Sequence, residues 1–399
     1  MLGVWPRKVD DHMALRLELS EPRTTALPRP SKRLKQRLET TPVLVFWETT
    51  KVCPLTCLHC RAESISLAPP EELTTEQAKS LLTQFASFGT PKPTLILTGG
   101  DPLSRPDIWE LLEMAQDLDL KVAVSPAVSP RLNEKSIVRL LELGVQSASV
   151  SLDGVQSTHD EIRGISGHFE ETLRVIDTML EYGLRVQVNT TVMSKNKTEL
   201  ADVFALIRSH GVRIWEVFFL IQIGRGSNIE ELSPEENEDV ARFLFDTSAY
   251  DVLVRTVEAP FYRRVSHQLA TLPQDSMLGS TGPLYVRLKK RLVKLIGESD
   301  VKPNFKPVYT RDGKGIVFIS HSGNLYPSGF TPISLGNVKS ENLRVLYQEN
   351  EVLNRIRNGE FSGACGICGY VDLCGGSRAR AFAHFGDPLA QDPGCLYAS

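Results

Sequence analysis

The chain has 399 residues, 41% of them hydrophobic, with 45 Lys and Arg against 48 Asp and Glu for a formal net charge of −3. That length allows two or three domains with substantial cores. The charge balance gives no nucleic-acid footprint, and no apolar run reaches membrane-spanning length. Residues 1–10 lack the apolar core of a signal peptide, so the expected location is the cytoplasm, where structural disulfides are disfavoured. Residues 1–41 read as an irregular arm. The stretch from Arg23 to Arg33 is rich in Pro and basic residues, which favours a solvated extension over a packed element.

From Pro42 to Gly226 strands and helices alternate. Val43–Glu48 reads as a strand. Thr74 opens a helix as N-cap of a capping box with Gln77, and Ala78, Leu81, Leu82 and Phe85 form its apolar face. A strand at Thr94–Thr98 leads to a helix beginning near Arg105, with Pro106 at its first position. A strand at Lys121–Ser125, a helix near Glu134–Leu143, and a strand at Ser147–Leu152 follow. Phe169–Tyr182 reads as a helix closed by Gly183. A strand at Arg185–Val192, a helix near Lys197–His210 and a strand at Arg213–Leu220 complete the series. Six strands separated by helices imply parallel pairing with right-handed crossovers. The expected fold is α/β, a partial (β/α)6 TIM-like barrel over 42–226, with ligand sites at the C-terminal ends of its strands.

The chemistry lies in the loop after the first strand. Cys53, Cys57 and Cys60 are spaced C-x3-C-x2-C. Thiolates are soft ligands for Fe–S clusters, zinc and Cu(I). Structural zinc takes four protein ligands, whereas three thiolates on a [4Fe–4S] cube leave one iron open. A zinc knuckle or a set of buried core cysteines remains the alternative for these residues alone. The spacing resembles the signature of the radical S-adenosylmethionine (radical SAM) superfamily. There the amine and carboxylate of SAM chelate the open iron, and reduction cleaves SAM to a 5′-deoxyadenosyl radical. The resemblance implies a ring contact from His59 beside the open corner. Gly99-Gly100-Asp101-Pro102 is similar to the family's GGEP element, with Asp for Glu, which implies that Gly99, Gly100 and Asp101 bind the methionine end of SAM. A glycine pair permits close backbone approach. Ser151-Leu-Asp-Gly followed by His159-Asp-Glu-Ile-Arg163-Gly resembles the SLDG…HDxxRG element of family members with C-terminal SPASM or twitch domains. It implies SAM contacts from Ser151 and Arg163, the guanidinium pairing with the SAM carboxylate. Asn189 is a candidate ribose or methionine contact, and Ile223, in the apolar segment Phe219–Gly226, a candidate adenine contact.

Residues 227–314 read as a helical bridging segment. A basic amphipathic helix from Tyr285, and Phe261-Tyr-Arg263-Arg264, are read either as packing elements or as a basic wall for an acidic substrate. From Gly315 to the C-terminus a hairpin turning near Ser322–Asn324 precedes Cys365-x2-Cys368-x5-Cys374, with Cys395 further on. No cysteine lies between 60 and 365, so the chain's seven divide into three and four. The run resembles a SPASM or twitch-like auxiliary domain over 315–399. Ser328 and Arg378 stand where that pattern has cysteines of an inner cluster. The resemblance therefore implies a single auxiliary [4Fe–4S] cluster on Cys365, Cys368, Cys374 and Cys395, with a zinc site on the same thiols as the alternative.

The resemblance covers residue 42 to the C-terminus. It implies an enzyme of cofactor or peptide maturation, related to haem synthase, haem d1, pyrroloquinoline quinone and mycofactocin enzymes. The expected substrate is a carboxylate-bearing tetrapyrrole or a peptide, and the expected reductant a ferredoxin or flavodoxin. No motif marks a catalytic acid or base. The rival of a different class is a non-catalytic Fe–S or zinc protein, which predicts no SAM cleavage.

Overall fold

The computed structural model describes residues 27–271 and 281–397. Most of the arm expected over 1–41 lies outside the described residues. Its end is ordered: Lys32–Thr40 forms helix α1, whose Leu38 is buried. The Tyr347 hydroxyl donates to the Leu38 carbonyl at 2.6 Å. An apolar anchor and one buried hydrogen bond thus turn a basic, Pro-flanked stretch into a packed helix.

The alternating series follows. It comprises β1 (Leu44–Thr50), α2 (Thr75–Ala86), β2 (Thr94–Gly99), α3 (Ile108–Asp117), β3 (Lys121–Val124), α4 (Glu134–Glu142) and β4 (Ser147–Ser151). Then come α5 (Gln156–Arg163), α6 (His168–Glu181), β5 (Arg185–Val192), α7 (Leu200–Ser209) and β6 (Ile214–Phe219). The Thr74 capping box forms, with Gln77 N donating to Thr74 Oγ1 at 3.3 Å and Thr74 N to Gln77 Oε1 at 3.0 Å. Pro106 stands before α3 rather than inside it: Pro102–Ser104 closes a separate 3-10 turn and Asp107 is the N-cap of α3. Helix α5 is an element that the motif reading of His159–Gly164 passes over.

The sheet runs past both ends of the expected six strands. After α8 (Pro234–Thr247), β7 (Leu253–Val257) pairs in parallel with β6. After α9 (Phe261–Thr271), α10 (Pro283–Ile296) and the short β8 (Arg311–Asp312), strand β9 (Gly315–Ile319) pairs in parallel with β1. Among the described strands β10 (Leu325–Tyr326) alone runs antiparallel to its neighbour, closing the expected hairpin with β9. The order is β10-β9-β1-β2-β3-β4-β5-β6-β7, an open half-barrel. Helices α11 (Leu343–Glu349), α12 (Glu351–Asn358), α13 (Gly363–Gly366) and α14 (Arg378–Phe385) complete the chain.

Side chains on the parallel strands alternate. Val45, Trp47, Leu95, Leu97, Val122, Val124, Ala148, Val150, Val186, Val188, Trp215 and Val217 are buried. Their neighbours Phe46, Ile96, Ser149, Gln187, Asn189 and Glu216 are only half-buried. A parallel sheet covered on both faces reads as continuous apolar runs. Alternation here marks an inner face lining a cavity. The basic helix α10 sits in the outer helix layer. It buries Leu284, Leu288 and Leu292 and binds Asp202 through Arg291 and Asp246 through Lys289 at 2.9 Å. Arg264 is buried against Glu238 at 2.6 Å, and Arg263 donates to the Thr310 carbonyl at 2.5 Å. These residues pack the scaffold and do not form a wall of the cleft. Among the described residues no helix is long and apolar enough to cross a membrane.

Candidate functional site

A cleft with a cavity of about 230 Å³ opens at the C-terminal ends of the strands. Of the residues singled out from sequence, it is lined by Cys53, Cys57, His59, Cys60, Gly99, Gly100, Ser151, Arg163 and Asn189. Asp101 and Ile223 are not in its lining. The loop carrying the thiols leaves β1 and is tied down from several sides. Cys53 N donates to the Ile65 carbonyl at 3.1 Å and Leu58 N to the Ile162 carbonyl at 2.9 Å. Arg225 donates to the Cys57 carbonyl through Nε at 3.0 Å and to the Cys60 carbonyl through its backbone at 3.1 Å.

The glycines have a packing role that the sequence does not disclose. A Cβ on Gly99, which has φ +144°, would lie 2.3 Å from the Thr50 carbonyl oxygen. One on Gly100 would lie 2.4 Å from that of Val52, and one on Gly224, at φ +54°, 2.6 Å from that of Arg61. These glycines press neighbouring strand ends against the backbone of the cysteine loop. Gly99 and Gly100 also face the cleft. The segment around Ile223 therefore secures the loop, and it is Phe219, Leu220 and Ile221 that line the cleft.

Asp101 is fully buried and works inside the scaffold. Its carboxylate accepts from Leu103 N at 3.1 Å and Ala127 N at 3.3 Å, and from the hydroxyls of Ser104 and Ser129 at 3.4 Å. It thereby shapes the Ser125–Val128 loop, another part of the lining.

Arg163 is placed by α5 with Gly164 as a left-handed C-cap. One arm of its guanidinium binds Asp153, and the other lies 3.5 Å from Cys57 Sγ. The fork that the resemblance assigns to the SAM carboxylate is thus engaged by a buried carboxylate of the chain itself. Burial raises the Asp153 carboxyl, but the Arg163 guanidinium and the Thr191 N–H outweigh it and hold it below the usual range. His59 Nε2 is 3.6 Å from Asp153, yet burial pushes its imidazole down to about 4, so it is neutral.

A pair of histidines that the motif left unused joins this site. Asp153 N donates to His159 Nδ1 at 3.1 Å, so His159 carries its proton on Nε2. Nε2 donates to His168 Nδ1 at 2.8 Å, and His168 Nε2 then donates to the Val128 carbonyl at 3.1 Å. One backbone N–H therefore sets both tautomers. His168 lines the cleft. Burial pushes His159 down to about 3 and lowers His168 as well.

Sequence reasoning also missed Arg61 and Phe330. Arg61 follows the last cysteine of the motif. Its guanidinium lies 4.6 Å from the Phe318 ring centroid and 5.8 Å from that of Phe330, donates to the Gly329 carbonyl at 3.2 Å, and meets Glu48 at 3.4 Å. Burial raises Glu48, but His321 and Arg61 more than offset it and lower its pKa. Adjacency to the motif was the available signal for Arg61. Phe330 comes from more than two hundred residues away and only the fold brings it in.

Cys365, Cys368, Cys374 and Cys395 line a second, narrower cavity with Arg264, Tyr370 and Tyr397. All seven thiols are free of disulfides. A Cβ on Gly376, at φ +66°, would sit 2.9 Å from Cys365 Sγ, so the glycine keeps the cradle open. Three of the sulfurs accept a backbone N–H: Cys368 from Tyr370 at 3.4 Å, Cys374 from Gly376 at 3.4 Å and Cys365 from Asp392 at 3.3 Å. Such N–H···S bonds suit cluster thiolates. Burial pushes Cys53 and Cys395 up to about 12. As bare thiols they are protonated, and coordination is what ionises such groups. Donor type and spacing fit a cluster in each cavity.

Comparison with known proteins agrees with this geometry. Residues 47–207 match the model of the radical SAM superfamily. The chain is 35% identical to the AdoMet-dependent heme synthase of Methanosarcina barkeri, over 89% of this chain and 97% of that protein. It is 27% identical to the mycofactocin maturase MftC of Mycobacterium ulcerans, over 94% of this chain and 92% of that one. Among solved structures, Streptococcus suis SuiB bound to its precursor peptide SuiA superposes with a TM-score of 0.64 at 14% identity, covering 91% of this chain and 78% of that one.

Proposed function

The chain belongs to the radical SAM superfamily, and on that premise we propose that it is a maturation enzyme oxidising a carboxylate-bearing tetrapyrrole. Residues 42–226 form its core, 227–314 a bridge and 315–399 an auxiliary-cluster domain. Cys53, Cys57 and Cys60 hold the SAM-binding [4Fe–4S] cluster. When bound, that cluster and SAM supply a 5′-deoxyadenosyl radical that takes a hydrogen atom from substrate.

The chain's own residues position and enclose. Gly99 and Gly100 offer main-chain atoms to the methionine end of SAM, Ser151 faces its carboxylate, and Arg163, with one arm on Asp153, lends positive charge beside it. Asn189 faces the ribose, with Gln187 Nε2 donating to its Oδ1 at 2.8 Å, which turns its N–H₂ group outward as a donor. Phe219, Leu220 and Ile221 exclude water from the adenine. Cys365, Cys368, Cys374 and Cys395 hold one auxiliary [4Fe–4S] cluster. A fully ligated cluster suits electron transfer better than substrate binding. The reductant is a cytoplasmic one-electron carrier such as a ferredoxin or flavodoxin.

The observation that carries the substrate class is the near full-length similarity to a heme synthase. The cleft wall supports it. Phe218 and Phe330 lie 6.4 Å apart with Arg61 beside them, a surface that suits a flat conjugated ring with acidic side chains. The test is to incubate reconstituted protein with SAM, reductant and a porphyrin bearing propionate groups. Formation of 5′-deoxyadenosine with loss of carbon dioxide from the porphyrin is expected. An unchanged porphyrin, alongside a modified peptide from the same genomic neighbourhood, would transfer the assignment to peptide maturation, the reading that similarity to the mycofactocin maturase favours.

A further inference from the structure

Two buried arginines beside the four-thiol cavity, Arg378 and Arg311, hydrogen-bond to carbonyls and form no ion pair with a carboxylate. Arg378, the first residue of α14, is 1% exposed. Its Nε donates to the Gly376 carbonyl at 3.1 Å, and Nη1 to the carbonyls of Pro388 at 2.9 Å and Ala390 at 2.7 Å. Nη2 points at Cys365 Sγ, 3.7 Å away, and the guanidinium lies 4.1 Å from the Phe361 ring centroid. Arg311 lies near the same ring, at 5.5 Å. It is 5% exposed and donates to the carbonyls of Val371 at 2.9 Å, Cys374 at 3.3 Å and Ile356 at 3.3 Å. By contrast Arg264, which lines the same cavity, is matched by Glu238, and Arg380 by Asp392 and Glu231.

Carbonyl dipoles satisfy N–H groups but do not cancel a charge. A buried guanidinium without a carboxylate is costly unless an anion lies beside it. Asp312 and Asp372 act on these charges from a distance and Asp392 on the thiols, but the anionic group that Arg378 Nη2 faces directly is the tetrathiolate centre. Four thiolates on a [4Fe–4S] core in its oxidised state leave a net charge of about −2, and reduction adds one more negative charge. Burial alone opposes that electron, because a dry cavity disfavours the more highly charged state. A fixed cation at the cluster's edge acts in the opposite sense and grows in effect with each added electron.

We propose that Arg378, reinforced by Arg311, raises the reduction potential of the C-terminal cluster and so makes that site an electron acceptor. This rests on the reading that Cys365, Cys368, Cys374 and Cys395 hold an Fe–S cluster. It also gives Arg378 a function at a position where the family pattern has a cysteine. The residue ligates nothing; its side chain turns toward the remaining cluster and supplies charge instead. Arg378 is a positioning residue, acting through the cluster's electronics without touching substrate.

The experiment uses the full chain with Cys53→Ala, Cys57→Ala and Cys60→Ala, so that only the C-terminal site is loaded. Iron is counted and the midpoint potential is measured by an EPR-monitored redox titration. In that background Arg378→Gln is expected to lower the equilibrium constant for one-electron reduction at least tenfold, a shift of about 59 mV. Arg378→Lys, which keeps the charge, is expected to stay within about threefold of the parent, or about 28 mV on the same scale. Because a buried arginine substitution can impair folding, Phe361→Glu supplies an independent route. It leaves both arginines in place and gives them a carboxylate, and it is expected to lower the potential as well. Normal iron with an unchanged midpoint in Arg378→Gln or in Phe361→Glu overturns the inference while leaving the cluster assignment intact. Zinc instead of iron in the parent overturns the cluster assignment, and the inference with it.

Discussion

The two cysteine sites differ in how they are assembled. The barrel site draws its lining from the ends of β1 to β6 and from Phe330 in the C-terminal segment. The other cavity is built almost wholly from residues 364–397, with Arg264 the one distant contributor. The first offers three thiols and an open cleft; the second offers four thiols and a narrow, arginine-rimmed cavity. A three-thiol cluster keeps one iron for a small molecule, and a four-thiol cluster is saturated. Distributed assembly lets a site recognise a substrate, because many loops face one space. Local assembly encloses its centre, which suits the electron-transfer role proposed for the C-terminal thiols.

The largest expected effect separates the sites outright. Replacing Cys53, Cys57 and Cys60 by alanine should bring 5′-deoxyadenosine formation below detection and reduce iron from about eight to about four per chain. Loss of all iron would show that the two sites do not load independently. The converse change, Cys365→Ala with Cys374→Ala, should also remove about four irons. It should abolish substrate oxidation yet keep uncoupled SAM cleavage within about tenfold of the parent, a rate difference of about 1.4 kcal/mol. Complete loss of cleavage in a protein that retains its circular dichroism would break the comparison.

A smaller effect concerns the charge pair under the barrel site. Asp153→Asn leaves Arg163 buried without its carboxylate, which should cost about 3–5 kcal/mol of stability in chemical denaturation and raise the KM for SAM. Asp153→Asn with wild-type stability would mean that Arg163 finds another anion. The smallest effect is a pH slope. His159 is held far below its unfolded value of about 6.5, at about 3. Between those values the unfolded chain binds a proton that the folded chain refuses. Stability should therefore fall as pH drops below about 6.5, by up to about 1.4 kcal/mol per pH unit from this group. His159→Gln should flatten that slope; an unaltered slope would assign it elsewhere.

Much of the architecture was readable because its signals are local. The boundaries of β5 follow directly from the period-two pattern of Arg185–Val192, and the capping box at Thr74 forms as its sequence requires. Strand β7 was hidden because its five residues, two exposed and three half-buried, carry little hydrophobic contrast. The pairing of β9 with β1 was hidden for a different reason: it joins residues some 270 positions apart, and nothing in either stretch names its partner. The basic helix α10 illustrates the same ambiguity. Its charges are visible in sequence, but only packing decides that they cover the outer layer.

Residue type and spacing alone determined the donor sets. Three clustered thiols, four later ones and the elements after β2 and β4 carry their chemistry wherever the chain places them. Tertiary structure decided what each residue does with that chemistry. Asp101 turned inward to hold a loop, Asp153 took one arm of Arg163, His159 and His168 joined in one hydrogen-bonded chain, and Arg378 reached Cys365. The reason is physical. Ligand identity is a property of a side chain, whereas pairing, burial and charge compensation depend on which distant groups share a cavity, and that is set by how the sheet folds around it.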